Sequence, residues 1–180
     1  MNQDITSDVQ IFLKRNFIAV LATSYLDLPY ASIIYYTIDE KLNFYFVTKA
    51  NTDKYLNLKI NRNVAVAVGG GNKHTSVQVR GHATILKDKR QRKRILEEIG
   101  SILKKNAVES WPVKHMRDLQ ARKKELDEEI VYKVIPQHLI FTNLDDHSLP
   151  SSVSNERHCI IPILKRDRIS LSTACSQLIL

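Results

Sequence analysis

The sequence of 180 residues is poor in the residues that build several common kinds of functional site. Its only two cysteines, Cys159 and Cys175, lie near the C-terminus, which excludes a disulfide framework and a cysteine-rich zinc site. Five glycines leave little room for glycine-built nucleotide loops, and Gly69–Asn72 has the spacing of a hairpin turn rather than of a phosphate loop. The six histidines show none of the close spacings of zinc sites, so no metal is predicted.

Long apolar runs are also absent. The longest one near the N-terminus, Phe17–Ala22, is far shorter than the roughly 18 residues that a membrane span needs. No basic segment followed by a long apolar stretch opens the chain, so a secretory signal is not expected. Hydrophobic residues make up 43% and charged residues 26% of the chain, which is enough to bury a core. We therefore expect a cytoplasmic domain with no membrane partner.

The positive charge is concentrated in one segment. The chain has a formal net charge of +8, and Lys87–Arg94 contributes six basic residues against one acidic residue, or +5. Aromatic side chains that would stack on bases do not interleave with this run. The pattern is typical of a solvated helix face and disfavours nucleic-acid binding.

Hydrophobic periodicity predicts a mainly β fold with flanking helices (α+β). Helices are predicted at residues 4–15, Asn51–Asn61, Asp88–Lys105 and Val113–Glu129. Strands are predicted at Phe17–Ser24, Pro29–Ile38, Leu42–Thr48, Val64–Val68, Ser76–Leu86, Val131–Ile135 and His138–Asn143. The strands follow one another in short hairpin-like steps, which favours a closed antiparallel sheet and excludes a doubly wound parallel one.

The character of the chain changes after residue 144. Residues 145–155 are rich in serine and contain Pro150, which is typical of a linker. Residues 156–180 show no clear periodicity, so a loosely docked or poorly ordered tail is expected there. We predict a domain at residues 1–144, followed by a linker and C-terminal tail of unknown role at residues 145–180.

One strand-to-helix junction, at residues 48–54, has the composition of an anion site. A helix that begins inside this junction directs unpaired backbone N–H groups and the positive end of its dipole at the preceding loop. The hydroxyls of Thr48 and Thr52 add possible donors, and Lys49 and Lys54 add positive charge. The combination suits a phosphate monoester, and the alternative is an ordinary helix cap with solvated lysines.

Six segments, taken in order, resemble the flavin-binding split-barrel family of pyridoxamine 5′-phosphate oxidase-like proteins. They are Ile18–Thr23, Pro29–Tyr36, Phe44–Lys49, Thr52–Leu58, Asn61–Val66 and Val77–Ala83. The resemblance extends over roughly residues 5–143. It implies an antiparallel split β-barrel of the type that binds flavin mononucleotide (FMN), assembled as a homodimer with the flavin at the subunit interface.

The resemblance also implies ten cofactor-binding residues: Ser32, Ile33, Ile34, Tyr35, Thr48, Lys49, Thr52, Lys54, Ser76 and Gln78. The first four would run along the edge of the isoalloxazine ring, mostly through backbone groups. Thr52 and Lys54 match the family's Ser-x-Lys phosphate clamp, with Lys49 adjacent and Thr48 at the end of the flavin-lining strand. Ser76 or Gln78 would reach the ring or the ribityl chain.

Four departures from the vitamin B6 oxidases weaken that particular activity. Those enzymes carry arginine, lysine and arginine where this chain has Ser32, Thr37 and Asp53, and their C-terminal arginine- and histidine-bearing motif is not visible here. The predicted function is therefore an FMN-dependent oxidoreductase with an unknown small-molecule substrate and no assigned catalytic residue. A deazaflavin-dependent reductase and a non-catalytic flavin- or haem-binding protein are the alternatives.

Overall fold

The computed structural model describes residues 2–69, 75–106, 129–143 and 158–162. Its three helices are α1 (Asn2–Arg15), α2 (Asp53–Ile60) and α3 (Lys89–Lys105). Its seven strands are β1 (Ile18–Tyr25), β2 (Leu28–Ile38), β3 (Phe44–Lys49), β4 (Asn63–Gly69), β5 (Thr75–Ile85), β6 (Glu129–Asn143) and β7 (His158–Pro162).

The strands form one antiparallel sheet that closes into a barrel. Their order is β3-β2-β1-β4-β5-β6-β7, and an additional pairing of β3 with β6 joins the two sides. Six strands therefore make the closed barrel, and β7 extends the sheet beside the second half of β6. The predicted fold class, an antiparallel barrel with flanking helices, is confirmed.

The barrel core follows from alternation along the strands. In β4, Val64, Val66 and Val68 are buried while the residues between them are exposed, as the two-residue period of a strand requires. The core continues into β3 and β6, where the rings of Phe46 and Tyr132 stack with their centroids 5.4 Å apart. Helix α1 closes one end of this core with the buried side chains of its inner face.

Helix α3 covers the outer face of β3 and β6. Its buried stripe of Ile95, Ile99 and Leu103 packs in one cluster with Tyr45 and Val131. Strand β3 is thus buried on both faces, which its alternating sequence did not reveal. The strand also begins at Phe44 rather than at residue 42, because Leu42 lies in the preceding turn with a φ of 59°.

The two strands predicted at the end of the barrel are one strand. Residues 129–143 form β6 without interruption, and Pro136 lies inside it, paired with Gly81. The register shifts between Arg80 and Gly81, so a β-bulge accommodates the proline that was expected to separate two strands. A side chain at position 81 would clash, since a Cβ there would lie 2.5 Å from the carbonyl oxygen of Ile135.

Several predictions fall partly or wholly outside the described residues. These are the helix at Val113–Glu129, whose last residue begins β6, the turn at Gly69–Asn72 beyond its first residue, and the linker at residues 145–155. Within the predicted tail, His158–Pro162 pairs with β6 as β7. The domain boundary after residue 144 stays a prediction.

The β1–β2 hairpin turns within two residues. Strand β1 ends at Tyr25, β2 begins at Leu28, and Leu26 has a φ of 51°. Such tight hairpins favour glycine or asparagine at this left-handed position. Leu26, a bulky residue at a positive φ, therefore adopts a strained conformation.

No described helix is long and apolar enough to cross a membrane. Among the described residues, no group of three or more histidine, cysteine, aspartate or glutamate side chains is arranged to hold a metal ion.

Candidate functional site

The barrel has a gap between β2 and β3 beyond the few residues over which these strands pair. These two strands pair only at residues 36–38 of β2 and 44–46 of β3, whereas β3 pairs with β6 along all six of its residues. Strand β3 therefore leaves β2 after Phe46 while remaining attached to β6. The result is a gap flanked by residues 32–35 of β2 on one side and by the end of β3 on the other.

Backbone groups of β2 point into this gap. The amide of Tyr36 donates to the carbonyl of Phe17 at 3.1 Å on the β1 side. Hydrogen-bonding direction alternates along an antiparallel strand, so the N–H and C=O of Ile33 point away from β1, toward the side that β3 has left. Ile33 has no partner residue on β3.

Ser32 has an orphaned hydroxyl at the same place. The residue pairs with Leu21, whose side chain is in the barrel core, so Ser32 is on the inward side of β2. Its Oγ is buried and has no hydrogen-bond partner among the described residues. Buried polar atoms normally have a hydrogen-bond partner. A ligand bound at the gap would supply the donor or acceptor that the Ser32 hydroxyl lacks.

The turn from β3 into α2 is built by two threonines. Thr48 is buried, and its Oγ lies 2.8 Å from the Oγ of Thr52. The Thr52 hydroxyl donates to the Lys49 carbonyl at 2.9 Å, which leaves Thr48 as the donor to Thr52. Both hydroxyl protons are therefore engaged within the turn, and the hydroxyls shape the site rather than presenting unengaged donors to an anion.

The first turn of α2 is not capped by a side chain. Thr52 occupies the N-cap position without accepting a hydrogen bond from the helix. The amides of Asp53 and Lys54 lie ahead of the first intrahelical bonds, which Tyr55 and Leu56 donate to the Thr52 carbonyl. These two N–H groups and the positive end of the helix dipole are the anion-binding elements of the turn.

Lys54 is a desolvated cation beside those amides. The side chain is half-buried, and burial lowers the pKa of its ammonium group, while the charge of Asp53 offsets part of that shift. No described carboxylate lies within ion-pairing distance of Lys54. A lysine held out of water without an acidic partner is energetically unfavourable unless an anion binds to it.

Lys49 lies on a different face from Thr48. Successive residues of a strand alternate, so Thr48 faces the interior with Phe46, and Lys49 lies on the side covered by α3. Lys49 pairs with Glu129 of β6, whose backbone carbonyl accepts a hydrogen bond from Arg92 at 2.5 Å. Lys49 is connected to the turn through its backbone carbonyl, which accepts hydrogen bonds from the hydroxyl and the amide of Thr52.

Two asparagines that sequence reasoning missed hold α2 in place. Asn57 donates to the hydroxyl of Thr23 at 3.1 Å, and Asn61 donates to that of Ser24 at 2.8 Å. Both bonds connect the second half of α2 and its C-cap to the end of β1, so they fix the position of the helix on the barrel. The sequence signal for them is the spacing of Asn57 and Asn61, which are four residues apart and therefore lie on one face of the helix.

Ser76 and Gln78 are far from the turn in the same chain. Gln78 pairs with Ile140 of β6, whereas Thr48 pairs with Ile130. Ten residues of strand separate these two points of β6, which corresponds to roughly 30 Å of extended chain. The structure therefore brings together the positions on β2, β3 and α2 but leaves Ser76 and Gln78 on another part of the barrel surface.

Comparison with known proteins identifies the family of the chain. The family model described as pyridoxamine 5′-phosphate oxidase matches residues 5–129. The chain belongs to the pyridoxamine 5′-phosphate oxidase-like family. The matched range begins within α1 and ends at Glu129, the first residue of β6, so it includes the gap, the turn and Lys54. No curated protein matches the chain.

Solved structures share the family's fold at low sequence identity. General stress protein 26 from Bacillus anthracis is 16% identical, with a TM-score of 0.56 over 76% of this chain and 92% of that one. A Clostridium acetobutylicum protein related to general stress protein 26 is 11% identical, with a TM-score of 0.62 over 91% and 97%. An FAD-binding protein from Mesorhizobium loti is 20% identical, with a TM-score of 0.54 over 74% and 90%.

Proposed function

We infer that this family member is an FMN-dependent oxidoreductase whose cofactor phosphate binds at the turn between β3 and α2. The observation that supports this most strongly is Lys54, a half-buried lysine without an acidic partner among the described residues, next to the uncapped amides of Asp53 and Lys54. A phosphate group would restore the solvation that burial removes from the ammonium and would accept hydrogen bonds from both amides. Bound flavin would supply the hydride chemistry.

The gap between β2 and β3 suits the ring end of the same cofactor. The backbone N–H and C=O of Ile33 point into it, and the Oγ of Ser32 is buried there without a partner. The pyrimidine edge of a flavin offers alternating donors and acceptors that would satisfy such groups. These features support the predicted role of Ser32–Tyr35 as ring-edge residues that act mainly through the backbone.

A second copy of the chain would complete the site. Ser76 and Gln78 are too far from the turn for one mononucleotide to contact both within one chain, so they would have to reach a flavin bound to the partner. The outer face of the barrel is also unusually apolar: Ile18, Val20 and Ile33 expose 43%, 44% and 69% of their surface. Exposed apolar patches of this kind mark interaction sites. The proposal therefore includes a homodimer with shared flavin sites.

The vitamin B6 reaction is not part of the proposal. Thr37, which stands where those oxidases have lysine, is buried and donates a hydrogen bond of 2.5 Å to Glu98 of α3. Asp53, which stands where they have arginine, is exposed in the first turn of α2 and adds a negative charge beside the anion site. The substrate is therefore a small molecule other than a pyridoxine phosphate.

Titrations with FMN and riboflavin test the phosphate site. Lys54→Met should weaken FMN binding by about tenfold or more, because a charge-assisted hydrogen bond contributes about 1.5–3 kcal/mol. Riboflavin, which lacks the phosphate, should bind within about twofold of wild type. Lys59→Met, a change of the same kind at an exposed position of α2, should leave both affinities unchanged. Equal losses for the two ligands would contradict the assignment.

A reduction assay tests the enzymatic part of the proposal. The FMN-loaded protein mixed with NADH or NADPH in the absence of oxygen should lose its visible flavin absorbance, and added oxygen or another acceptor should restore it. Persistent colour with both donors would instead favour a flavin-binding protein without this activity. Binding of a deazaflavin or of haem in preference to FMN would overturn the choice of cofactor.

A further inference from the structure

The start of α3 concentrates positive charge on the outside of the barrel. Five basic residues at or just before the first turns of this helix are exposed, and we call them the α3 basic surface: Lys87, Lys89, Arg90, Lys93 and Arg94. Arg90 and Arg94 are four residues apart, as are Lys89 and Lys93, so like charges are neighbours along the helix and repel each other. The free protein therefore bears a cost for keeping this surface.

The acidic residues of the same helix do not neutralise the surface. Asp88 caps the helix by accepting a backbone amide at 2.6 Å, and Glu98 accepts a hydrogen bond of 2.5 Å from the hydroxyl of Thr37. Glu97 lies 3.9 Å from the ammonium of Lys93. Among the described residues, the other four cations of the surface have no ion-pair partner.

The α3 basic surface faces away from the proposed dimer contact. Helix α3 covers the outer face of β3 and β6, whereas the exposed apolar residues Ile18 and Val20 belong to β1. In a closed barrel with the strand order β3-β2-β1-β4-β5-β6, the pair β3 and β6 lies opposite the pair β1 and β4. A homodimer formed through the β1 face would therefore leave the α3 basic surface open.

A lysine from the sheet adds to the positive charge beside the helix. The ammonium of Lys133 in β6 lies 5.8 Å from the centre of the Tyr45 ring. Arg94 is close enough to the same tyrosine to interact electrostatically with its hydroxyl. The fold thus brings a cation of β6 to the charged side of α3, which the run of charges in the sequence does not show.

The surface lacks the groups that recognise bases or insert into lipid. Every exposed residue between positions 87 and 94 is charged, so no aromatic ring is present to stack on a base and no apolar side chain to enter a membrane. The amide of Gln91 donates to the Tyr45 hydroxyl at 3.4 Å. The remaining chemistry is that of ammonium and guanidinium groups, which suits carboxylates.

We propose that the α3 basic surface binds an acidic segment of a partner protein, whose carboxylates pair with Arg90, Arg94 and the flanking lysines. Residues four apart on a helix are about 6 Å apart along its axis, and alternate side chains of an extended peptide are about 7 Å apart. Alternate acidic residues of an extended segment therefore match Arg90 and Arg94, each of which can hold a carboxylate through two parallel hydrogen bonds. The proposal does not depend on bound flavin or on oxidoreductase activity.

Hexaglutamate carrying a fluorescent label, with hexaglutamine as its neutral counterpart, tests this surface on the full chain by anisotropy. At about 50 mM salt hexaglutamate should bind and hexaglutamine should not, and about 200 mM salt should weaken binding by about fivefold or more. Arg90→Gln/Arg94→Gln should also weaken hexaglutamate by about fivefold or more. Lys104→Gln/Lys105→Gln, which removes the same charge from the exposed last turn of α3, should change the affinity by less than about twofold.

Thermal unfolding without peptide separates binding from folding. Arg90→Gln/Arg94→Gln should be at least as stable as wild type, because it removes a repulsion, and Lys89→Gln/Lys93→Gln repeats the binding test with a different pair. The proposal is overturned if wild-type protein does not bind hexaglutamate, if the variants at both ends of α3 weaken it equally, or if a short DNA duplex or vesicles containing phosphatidylserine bind more tightly than the peptide at the same salt. Because no flavin is added, these outcomes are independent of whether the phosphate site binds FMN.

Discussion

Strand β3 has two very different flanks. Toward β6 it is paired along its whole length, its Phe46 ring stacks on Tyr132, and α3 covers it from outside. Toward β2 it is paired over three residues and then diverges, leaving the Ser32 hydroxyl without a described partner and Lys54 desolvated. The β6 flank satisfies its own groups, whereas the β2 flank leaves polar groups that a ligand would satisfy.

The difference shows how one strand can serve both stability and binding. Aromatic packing and a full ladder on the β6 flank anchor β3, so its last residues can separate from β2 without unfolding the barrel. Unsatisfied groups on the β2 flank destabilise the ligand-free protein, and functional sites commonly show such local costs. Substitutions on the two flanks should therefore have effects of different size and, in one case, of opposite sign.

The largest effect is expected at the β6 flank. Phe46→Ala removes a fully buried ring that stacks on Tyr132 and should destabilise the fold by about 3–5 kcal/mol, because the core cannot collapse fully around the cavity. Urea denaturation followed by circular dichroism measures this directly. A loss below about 1 kcal/mol would show that the packing of this flank does not anchor the strand.

A smaller loss is expected where β2 and β3 remain together. Asp39 in their connecting turn accepts hydrogen bonds from Lys41 and Asn43 amides, the Asn43 side chain and the Tyr45 hydroxyl. Burial acts to raise the pKa of Asp39, but these bonds outweigh it and lower the pKa below 3.8. Asp39→Ala should destabilise the protein by about 2 kcal/mol at neutral pH.

The same carboxylate should give a recognisable pH dependence. Because the pKa of Asp39 is lower in the folded protein, its stabilisation is present above the unfolded pKa and is lost as the pH falls through the folded value. The stability difference between wild type and Asp39→Ala should therefore narrow below about pH 4. A difference that stays constant in acid would mean that the ionised form is not the stabilising one.

The hydroxyls of Thr23 and Ser32 allow a hydrogen-bonded group to be compared with one that has no partner among the described residues. Thr23→Val keeps the shape of the side chain but leaves the Asn57 amide, which donates to Thr23, without its acceptor, so a loss of about 1–2 kcal/mol is expected. Ser32→Ala removes an Oγ that has no described partner and should be neutral or slightly stabilising. Thermal unfolding of both variants without ligand measures these changes in stability. Similar losses of stability in the two variants would show that the Ser32 hydroxyl has a hydrogen-bond partner in solution.

The smallest effect should have the opposite sign. Lys54→Met removes an ammonium group that is half-buried, and burial lowers the pKa of this group below 10.5. The ligand-free variant should therefore be slightly more stable than wild type at neutral pH. The unfolded chain binds the proton more tightly, so this advantage should shrink as the pH rises toward the unfolded pKa. A variant less stable than wild type at pH 7, measured by urea denaturation, would contradict the desolvation of Lys54.

Much of the fold could be predicted from local patterns, because alternation in segments such as Val64–Val68 reports directly which face is buried. The turn at residues 48–54 was also visible, since threonine, lysine and a helix start adjoin in sequence. Local patterns could not show the pairing between residues that are far apart in the sequence. Pro136 lies within a continuous strand because Gly81 allows a bulge opposite it. Only the register of β6 shows how far Gln78 lies from Thr48.

The central claim, that the start of α2 binds the phosphate of a flavin, can be tested by recording backbone amide resonances of the protein during titration with FMN and with riboflavin. The Asp53 and Lys54 amide signals should show the largest shifts with FMN and only small ones with riboflavin, while signals along β2 near Ile33 should respond to both. Equal shifts of Asp53 and Lys54 with the two ligands, or none with FMN, would contradict it.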